Sequence, residues 1–228
     1  MADILYTVDK NCSVCSKDFS VTRVRTRIVK IKQDTDFCTY YKDVNPYYYT
    51  VWVCPNCGYA AQDSHFPNIT AANIAKVSKF LAGREVNINL SGVRTRDQAV
   101  AAYKLAIFYA EMEGLAASDI AGLYLRLGWL FREGEFADEE QLTLAKAAQY
   151  FEQALFRERL PIAGMSEVSL TYLVGELLRR VGRNEEALRY FSKVVSNPQA
   201  KLERRILDMA REAWQASREA KKSTASNE

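Results

Sequence analysis

The sequence predicts an α+β protein that is mostly α, with a small β-rich segment at the N-terminal end followed by a domain of helical repeats. Two observations support this prediction. All five cysteines of the 228 residues lie within the first 57 positions, in a stretch rich in Val, Ile, Thr and aromatic residues, which favour strands. From Pro67 onwards, apolar residues recur at the spacing of amphipathic helices, and small and aromatic residues return at similar intervals.

Composition excludes several classes of protein. Apolar residues make up 48% and charged residues 26% of the sequence, which excludes a wholly disordered chain. The net charge of +3 is too small to predict a nucleic acid or an anionic membrane as the main partner. No apolar run approaches the ~18–20 residues of a membrane span, and the N-terminal residues lack the pattern of a secretory signal. We therefore expect a cytoplasmic protein without a membrane partner.

Four cysteines form two C-x-x-C pairs, Cys12 with Cys15 and Cys54 with Cys57. Because the reducing cytosol disfavours disulfides, such pairs indicate a metal site. Two intervening residues let both sulfurs of one tight turn reach a tetrahedral ion at about 2.3 Å, and two such turns complete a shell of four thiolates. We predict that these cysteines hold one structural zinc ion, with iron as the competing metal.

The residues around these pairs carry further predictions. Pro55 fixes φ after the first ligand of the second turn, and Gly58 can adopt the positive φ that directs backbone N–H groups at sulfur. Ser16 takes the equivalent position in the first turn. Cys38 has no neighbouring partner and is expected to be a buried spare thiol. His65, the single histidine, is either a stand-in ligand or hydrogen-bond partner of the site, or a surface or capping residue.

A basic stripe supports a second hypothesis. Residues 21–32 alternate as a strand does, and a bulge or turn near Ile28–Val29 would bring their basic side chains to one face. With the nearby tyrosines and Trp52, such a stripe is typical of nucleic-acid binding. The competing interpretation is that the aromatic residues form the core of a small metal-centred sheet. The residues of this hypothesis are Arg23, Arg25, Arg27, Lys30 and Lys32.

Helical patterns account for the rest of the chain. Thr95 and Gln98 form a capping box, and Ser118, Ser166 and Asn184 precede or begin later helices. We predict helices over about 67–83, from 95, after 118, from about 138, after 166, from 184 and over about 200–220. The predicted organisation is a zinc-ribbon-like domain (1–66), a linking helix and connector (67–94), helical repeats (95–222) and a disordered tail (223–228).

The spacing of Gly175, Ala187 and Phe191 resembles that of the tetratricopeptide repeat, in which a small residue sits where paired helices cross. Gly128 and Ala147 fit that spacing only if about seven residues are inserted near GEFADEE. A generic helical bundle is the alternative. The resemblance implies a concave face that binds a protein or peptide, with arginines engaging a carboxylate, although the arginines are equally interpretable as solvated. That face would comprise Leu125, Trp129, Arg132, Tyr172, Glu176 and Arg179.

Two further resemblances concern the metal segment and the whole chain. VWVCPNCGYAAQDSHF resembles the second metal loop of rubredoxin, where four thiolates hold a redox-active iron, but the first turn lacks the CxxCG of that family. The CxxC segment, the VCPNCGYAA segment and the following helices together resemble an uncharacterised bacterial family classified as a domain of unknown function. That resemblance implies a cytoplasmic location and a bound metal, and it implies no activity.

Catalytic motifs are not found in the sequence: there is no Gly-rich phosphate loop, no H-E-x-x-H and no G-x-S-x-G. A complete shell of four thiolates also leaves no open coordination position for a substrate. We therefore predict a protein that is not an enzyme. A rubredoxin-like electron carrier is the remaining alternative, and it requires iron.

Overall fold

A computed structural model describes residues 4–86 and 88–225, and it confirms a mostly helical α+β chain. The strands are β1 (Leu5–Asn11), β2 (Asp18–Val24), β3 (Lys30–Gln33), β4 (Thr39–Tyr41), β5 (Val51–Val53) and β6 (Ala60–Gln62). The helices are α1 (Ala71–Leu81), α2 (Arg96–Glu113), α3 (Ala117–Glu133), α4 (Ala137–Arg157), α5 (Glu167–Arg180), α6 (Asn184–Ser196) and α7 (Arg204–Ala225). Short 3₁₀ turns lie at Pro46–Tyr49, Phe66–Asn68 and Pro198–Leu202. Among the described helices, none is both long and apolar enough to cross a membrane.

The strands form three antiparallel pairs, β1 with β2, β3 with β4 and β5 with β6. The innermost pair of the first hairpin is Asn11 opposite Asp18, and that of the third is Val53 opposite Ala60. Each C-x-x-C motif therefore forms the tip of a two-stranded hairpin, where tight turns are required in any case.

The alternating run at 21–32 is not one continuous strand. β2 ends at Val24 and β3 begins at Lys30, and the pairing of β3 with β4 shifts register between Lys30 and Lys32. Strand structure is therefore confirmed at the two ends of this run, and the break over 25–29 includes the place near Ile28–Val29 where a bulge or turn was expected.

Several helix starts are confirmed because their signals are local. The side-chain oxygens of Thr70, Thr95 and Ser166 each accept a hydrogen bond from a backbone N–H three residues further on. The Gln98 side chain returns the bond to Thr95, which completes the predicted capping box. Helix α6 begins at Asn184, as predicted.

Two segments outside the predicted helices contain more helix than expected. The insertion expected near GEFADEE is not a loop, because α3 ends at Glu133 and α4 begins at Ala137. The additional residues lengthen α4 to 21 residues, and the acidic residues of its first turn favour that extension through the helix dipole. The tail was expected to be disordered from residue 223, but α7 continues to Ala225, and 226–228 lie outside the described residues.

Contacts divide the chain into two compact units. The first comprises residues up to Gln33, Thr39–Leu115 and Trp129–Glu135, so the hairpin strands share a unit with α1 and α2. A buried arginine, Arg94, lies between α1 and α2. Its guanidinium donates to the carbonyls of Tyr48 and Val51 at 2.9 and 2.7 Å. Burial lowers the pKa of Arg94 to about 10.

The second unit comprises Asp34–Cys38, Ala116–Gly128 and the chain from Phe136 onwards. Within it α5 packs against α4 and α6, and α6 packs against α7. Glycine allows close approach at two of its helix contacts. A Cβ atom on Gly175 would lie 2.8 Å from a ring carbon of Phe191, and one on Gly128 would lie 2.7 Å from the Leu144 side chain.

The approach at Gly175 makes a specific demand on residue size. We expect Gly175→Ala to lower the free energy of unfolding by about 1–3 kcal/mol, because the added methyl group overlaps the Phe191 ring. Thermal or urea unfolding measures the change. The exposed α6 position Ser192 provides the control, since Ser192→Ala should change stability by less than about 0.5 kcal/mol. Equal stability of Gly175→Ala and the parent chain would contradict the close approach.

Candidate metal centre

The two hairpin tips bring the predicted cysteines together. The Sγ atoms of Cys12 and Cys57 lie 3.7 Å apart, as do those of Cys15 and Cys54, and all four sulfurs lie within 4.8 Å of one another. A tetrahedron with metal–sulfur bonds of about 2.3 Å has edges of about 3.8 Å. The four cysteines therefore form a cluster that can hold one metal ion.

The backbone of both tips follows the same pattern. In the first, the Ser16 N–H donates to the Cys12 carbonyl at 2.8 Å; in the second, the Gly58 N–H donates to the Cys54 carbonyl at 2.8 Å. Both residues after the second cysteine have positive φ, +58° at Ser16 and +79° at Gly58. The first turn therefore adopts the geometry of the second although it lacks glycine.

Different side chains support the two tips. Asn11 donates to the Ser16 carbonyl at 3.0 Å and to the Asp18 carboxylate at 2.8 Å, which holds the left-handed residue of the first turn in place. At the second turn, a Cβ on Gly58 would lie 3.2 Å from the Val86 side chain. Glycine is thus favoured there both by the positive φ and by the limited space.

Hydrogen bonding among the thiols separates their pKa values. Bonds from Cys12 and Cys57, and then from the backbone N–H groups of Asn56 and Cys57, lower the pKa of Cys54 to about 2. The bond with Cys54 raises the pKa of Cys12 to about 12, and bonds with Cys12 and Cys54 raise that of Cys57 above its usual range. One thiolate is thus stabilised by protonated neighbours, and a bound cation would take the place of those protons.

Aromatic rings build the core beside the cysteines. The Phe66 ring lies 5.5 Å from Phe19, 5.9 Å from Trp52 and 5.1 Å from Tyr59, measured between centroids. All four residues are buried. These distances are those of favourable aromatic pairs, so aromatic residues supply the apolar core that the short strands alone could not provide.

A buried carboxylate connects this core to the helices. Glu113, the last residue of α2, accepts hydrogen bonds from Tyr59 at 3.0 Å and from Asn73 at 3.4 Å, and its carboxylate lies 2.9 Å from His65 Nε2. Burial, followed by the charge of Glu113, raises the pKa of Tyr59 well above its usual range. The phenol therefore stays protonated and continues to donate.

Neither His65 nor Cys38 is one of the four clustered residues. His65 pairs with Glu113, and this hydrogen bond makes it one of the residues that support the centre. Cys38 is 4% exposed and lies in the Asp34–Cys38 turn. The predicted burial of this thiol is confirmed.

Two of the predicted recognition residues on α5 bind a segment of the same chain. Tyr172 and Glu176 are fully buried, and both hydrogen-bond Thr35 of the Asp34–Cys38 turn, at 3.0 and 2.5 Å. Arg179 forms a bidentate pair with Glu176, with both N–O distances 2.8 Å. Binding of a separate partner through these three residues stays a prediction.

The predicted recognition residues on α3 are largely covered. Leu125 and Trp129 are buried, and Arg132 is half-buried. The Trp129 ring lies 5.0 Å from that of Tyr47. Their proposed role in binding a partner stays a prediction as well.

The basic residues are spread over several local surroundings. Arg23 lies 3.9 Å from Asp63, Arg25 stacks over Tyr6 at 5.2 Å and Lys32 stacks over Tyr40 at 4.2 Å. Arg27 is exposed beyond the end of β2, and Lys30 is exposed on β3. Trp52, which the hypothesis assigned to base stacking, belongs to the buried core. Nucleic-acid binding remains a prediction that the fold does not strengthen.

Three supporting residues were missed by sequence reasoning. Asn11 carries a weak signal, because it precedes the first ligand and asparagine commonly bonds turn backbone. Val86 and Glu113 carry none, because their contacts with the second tip join positions far apart in the chain.

Comparison with known proteins identifies a family and no activity. Residues 5–217 match a family described as an uncharacterized protein conserved in bacteria (DUF2225). No curated protein and no solved structure matches the chain.

Loss of one cysteine from the cluster should release the metal. We expect Cys57→Ala to lose bound metal and to lower the melting temperature by about 10 °C or more, since metal binding contributes several kcal/mol to folding. Cys38→Ala is the matched control and should retain the metal. Metal content after dialysis and thermal melting measure both effects, and full metal retention by Cys57→Ala would contradict the assignment.

The Glu113 carboxylate should matter more for stability than the exposed Glu212 of α7. We expect Glu113→Ala to lower the free energy of unfolding by about 1–3 kcal/mol, because the buried Tyr59 hydroxyl loses its acceptor. Glu212→Ala should change it by less than about 0.5 kcal/mol. Equal effects of both variants in urea unfolding would count against the connection described here.

Proposed function

Since the chain belongs to this bacterial family, which brings no known activity, we propose from its own geometry that it is a non-catalytic metal-binding protein. Its four cysteines hold one structural zinc ion, and its helices bind a protein or peptide. The observation that carries the first part is the sulfur cluster: two of its sulfur–sulfur distances are 3.7 Å, close to the edge of a tetrahedral site, and all lie within 4.8 Å.

Zinc suits this cluster better than iron does. Four thiolates form a closed shell of the kind typical of structural zinc, and ribbons with a CPxCG turn mostly bind that metal. Iron fits the same sulfur–sulfur distances, so the rubredoxin-like alternative differs in the metal and not in the geometry. Cytoplasmic location is part of this proposal, because a tetrathiolate site needs its cysteines reduced.

A lack of catalysis follows from the same closed shell. With four protein ligands the ion has no position at which water or substrate can coordinate. The nearby carboxylate, Glu113, is engaged by Tyr59, Asn73 and His65. These groups therefore support the centre, and we assign them no acid–base role.

The interaction role rests on the helices of the second unit. Close approach at Gly128 and Gly175 supports a tetratricopeptide-like pairing of α3 with α4 and of α5 with α6. The polar side chains of α5 are also able to bind main chain, because Tyr172 donates to the carbonyl of Thr35 at 3.0 Å. This pairing and this surface support a protein that recognises polypeptide.

The zinc proposal makes a direct prediction for the purified protein. We expect one zinc ion per chain, no iron and no visible absorption, measured by elemental analysis and absorption spectroscopy on protein from cells grown without added metal. The Cys38→Ala variant should give the same stoichiometry. A red protein containing iron would contradict the structural role and favour electron transfer.

Because the proposed partner is a protein or peptide, we expect the chain not to bind nucleic acid. We expect no retardation of single-stranded RNA or DNA in a gel shift at low salt. The triple variant Arg23→Ala, Arg25→Ala and Arg27→Ala should behave like the parent chain. Binding that weakens steeply with salt and disappears in the triple variant would favour the nucleic-acid hypothesis instead.

A further inference from the structure

We propose that the α5 surface formed by Tyr172, Glu176, Arg179 and Arg180 recognises a turn that presents a hydroxyl residue, an acid and an aromatic residue in succession. The chain's own Asp34–Cys38 turn occupies this surface as an internal ligand, and a partner protein carrying a turn of the same chemistry replaces it. This inference rests on the proposed function, which requires the helices to bind a protein segment.

The hydroxyl residue of the internal turn is read by three side chains of α5. Thr35 donates its hydroxyl to Glu176 at 2.5 Å and receives a hydrogen bond on the same oxygen from Arg180 at 3.0 Å. Tyr172 donates to the Thr35 carbonyl at 3.0 Å. Although Thr35 is exposed, both its side chain and its main chain are bound.

The acid of the turn, Asp36, is recognised through its charge by an arginine of α5. Asp36 is fully buried, and its carboxylate lies 3.7 Å from the Arg180 guanidinium. Arg180 also donates to the buried Glu176 at 2.9 Å, while Arg179 binds Glu176 through two nitrogens. The negative charges of the two acids are thus balanced by the positive charges of the two arginines. A buried acid without such partners would be strongly destabilising.

The aromatic residue of the turn completes the match. The Phe37 ring lies 5.8 Å from that of Tyr172, which itself lies 6.0 Å from Phe191. Phe37 has a φ of +69°, a conformation that is unfavourable for a residue with a bulky side chain. An external turn that presents its aromatic residue without this strain would avoid its cost, which offsets part of the higher effective concentration of the internal turn.

The contacts between the internal turn and α5 are of a kind that a turn of a partner protein can also form. The contacts of Thr35 and Asp36 with α5 are hydrogen bonds and ion pairs, which another chain of the same sequence chemistry can reproduce. Tyr172, Glu176 and Arg179 are also the residues that repeat spacing assigned to a peptide-binding face. A segment of the same chain therefore contacts side chains to which the repeat spacing assigned recognition.

The test removes the internal ligand and supplies it from outside. In the full chain, 34–38 are replaced by Gly-Ser-Gly-Ser-Gly, and the probe is a fluorescein-labelled cyclic peptide of residues 33–39 carrying Cys38→Ser. By fluorescence anisotropy we expect the replaced chain to bind the peptide about tenfold or more tightly than the parent chain, the equivalent of one charge-assisted hydrogen bond freed on α5.

Two controls establish that binding uses the proposed chemistry. A peptide with Asp36→Asn should bind the replaced chain more weakly than the parent peptide does. Adding Arg180→Gln to the replaced chain should likewise reduce binding. The replaced chain must keep its helical circular dichroism and cooperative melting. If it does so and binds the peptide no more tightly than the parent chain, the proposal is overturned.

A milder variant covers the case in which the replaced chain does not fold. Thr35→Val removes the hydroxyl bonds and keeps the turn, and it should also increase peptide binding; no increase overturns the proposal. A parent chain that dimerises through this turn, and becomes monomeric on replacement, would assign the surface to a second copy and overturn the external partner. A partner captured equally by parent and replaced chains would overturn the internal ligand while leaving the proposed interaction role intact.

Discussion

The first unit depends on one geometric constraint, that four sulfurs from two hairpin tips must converge on a single tetrahedral point. Each tip supplies two of them from a turn of the same shape, with a left-handed residue, Ser16 or Gly58, directly after the second cysteine. Short strands suffice for this purpose because they only need to deliver the tips. The apolar burial that normally stabilises a sheet is small in such hairpins, so a metal ion bound to the cluster would supply stability that the strands cannot.

The centre is also integrated with the helices that follow it. Phe66 packs against rings from both cysteine-bearing hairpins and their flanks, and Glu113 ties Tyr59 to the end of α2. Asn73 of α1 and His65 join the same carboxylate. The cysteine cluster therefore belongs to a mixed α/β unit, and we expect metal binding to strengthen contacts well beyond the four cysteines.

What could be predicted from the sequence was what local chemistry determines. The cysteine spacing indicated the metal cluster, and the side chains of Thr95 and Ser166 indicated helix starts, because each signal acts within a few residues. The burial of Glu176 could not be predicted, since its partner Thr35 is distant in the chain. The repeat spacing placed an insertion near GEFADEE between two helices, whereas the acidic residues after Phe136 belong to the first turn of α4, where their charge favours the helix.

X-ray absorption at the metal edge of the purified protein tests the central claim most directly, because it reports both the element and its ligands. The account predicts a zinc edge with four sulfur ligands at about 2.3 Å and no nitrogen or oxygen in the coordination shell. A shell with a nitrogen or oxygen ligand would show an open or substituted site. Such a result would contradict a closed tetrathiolate centre with a purely structural role.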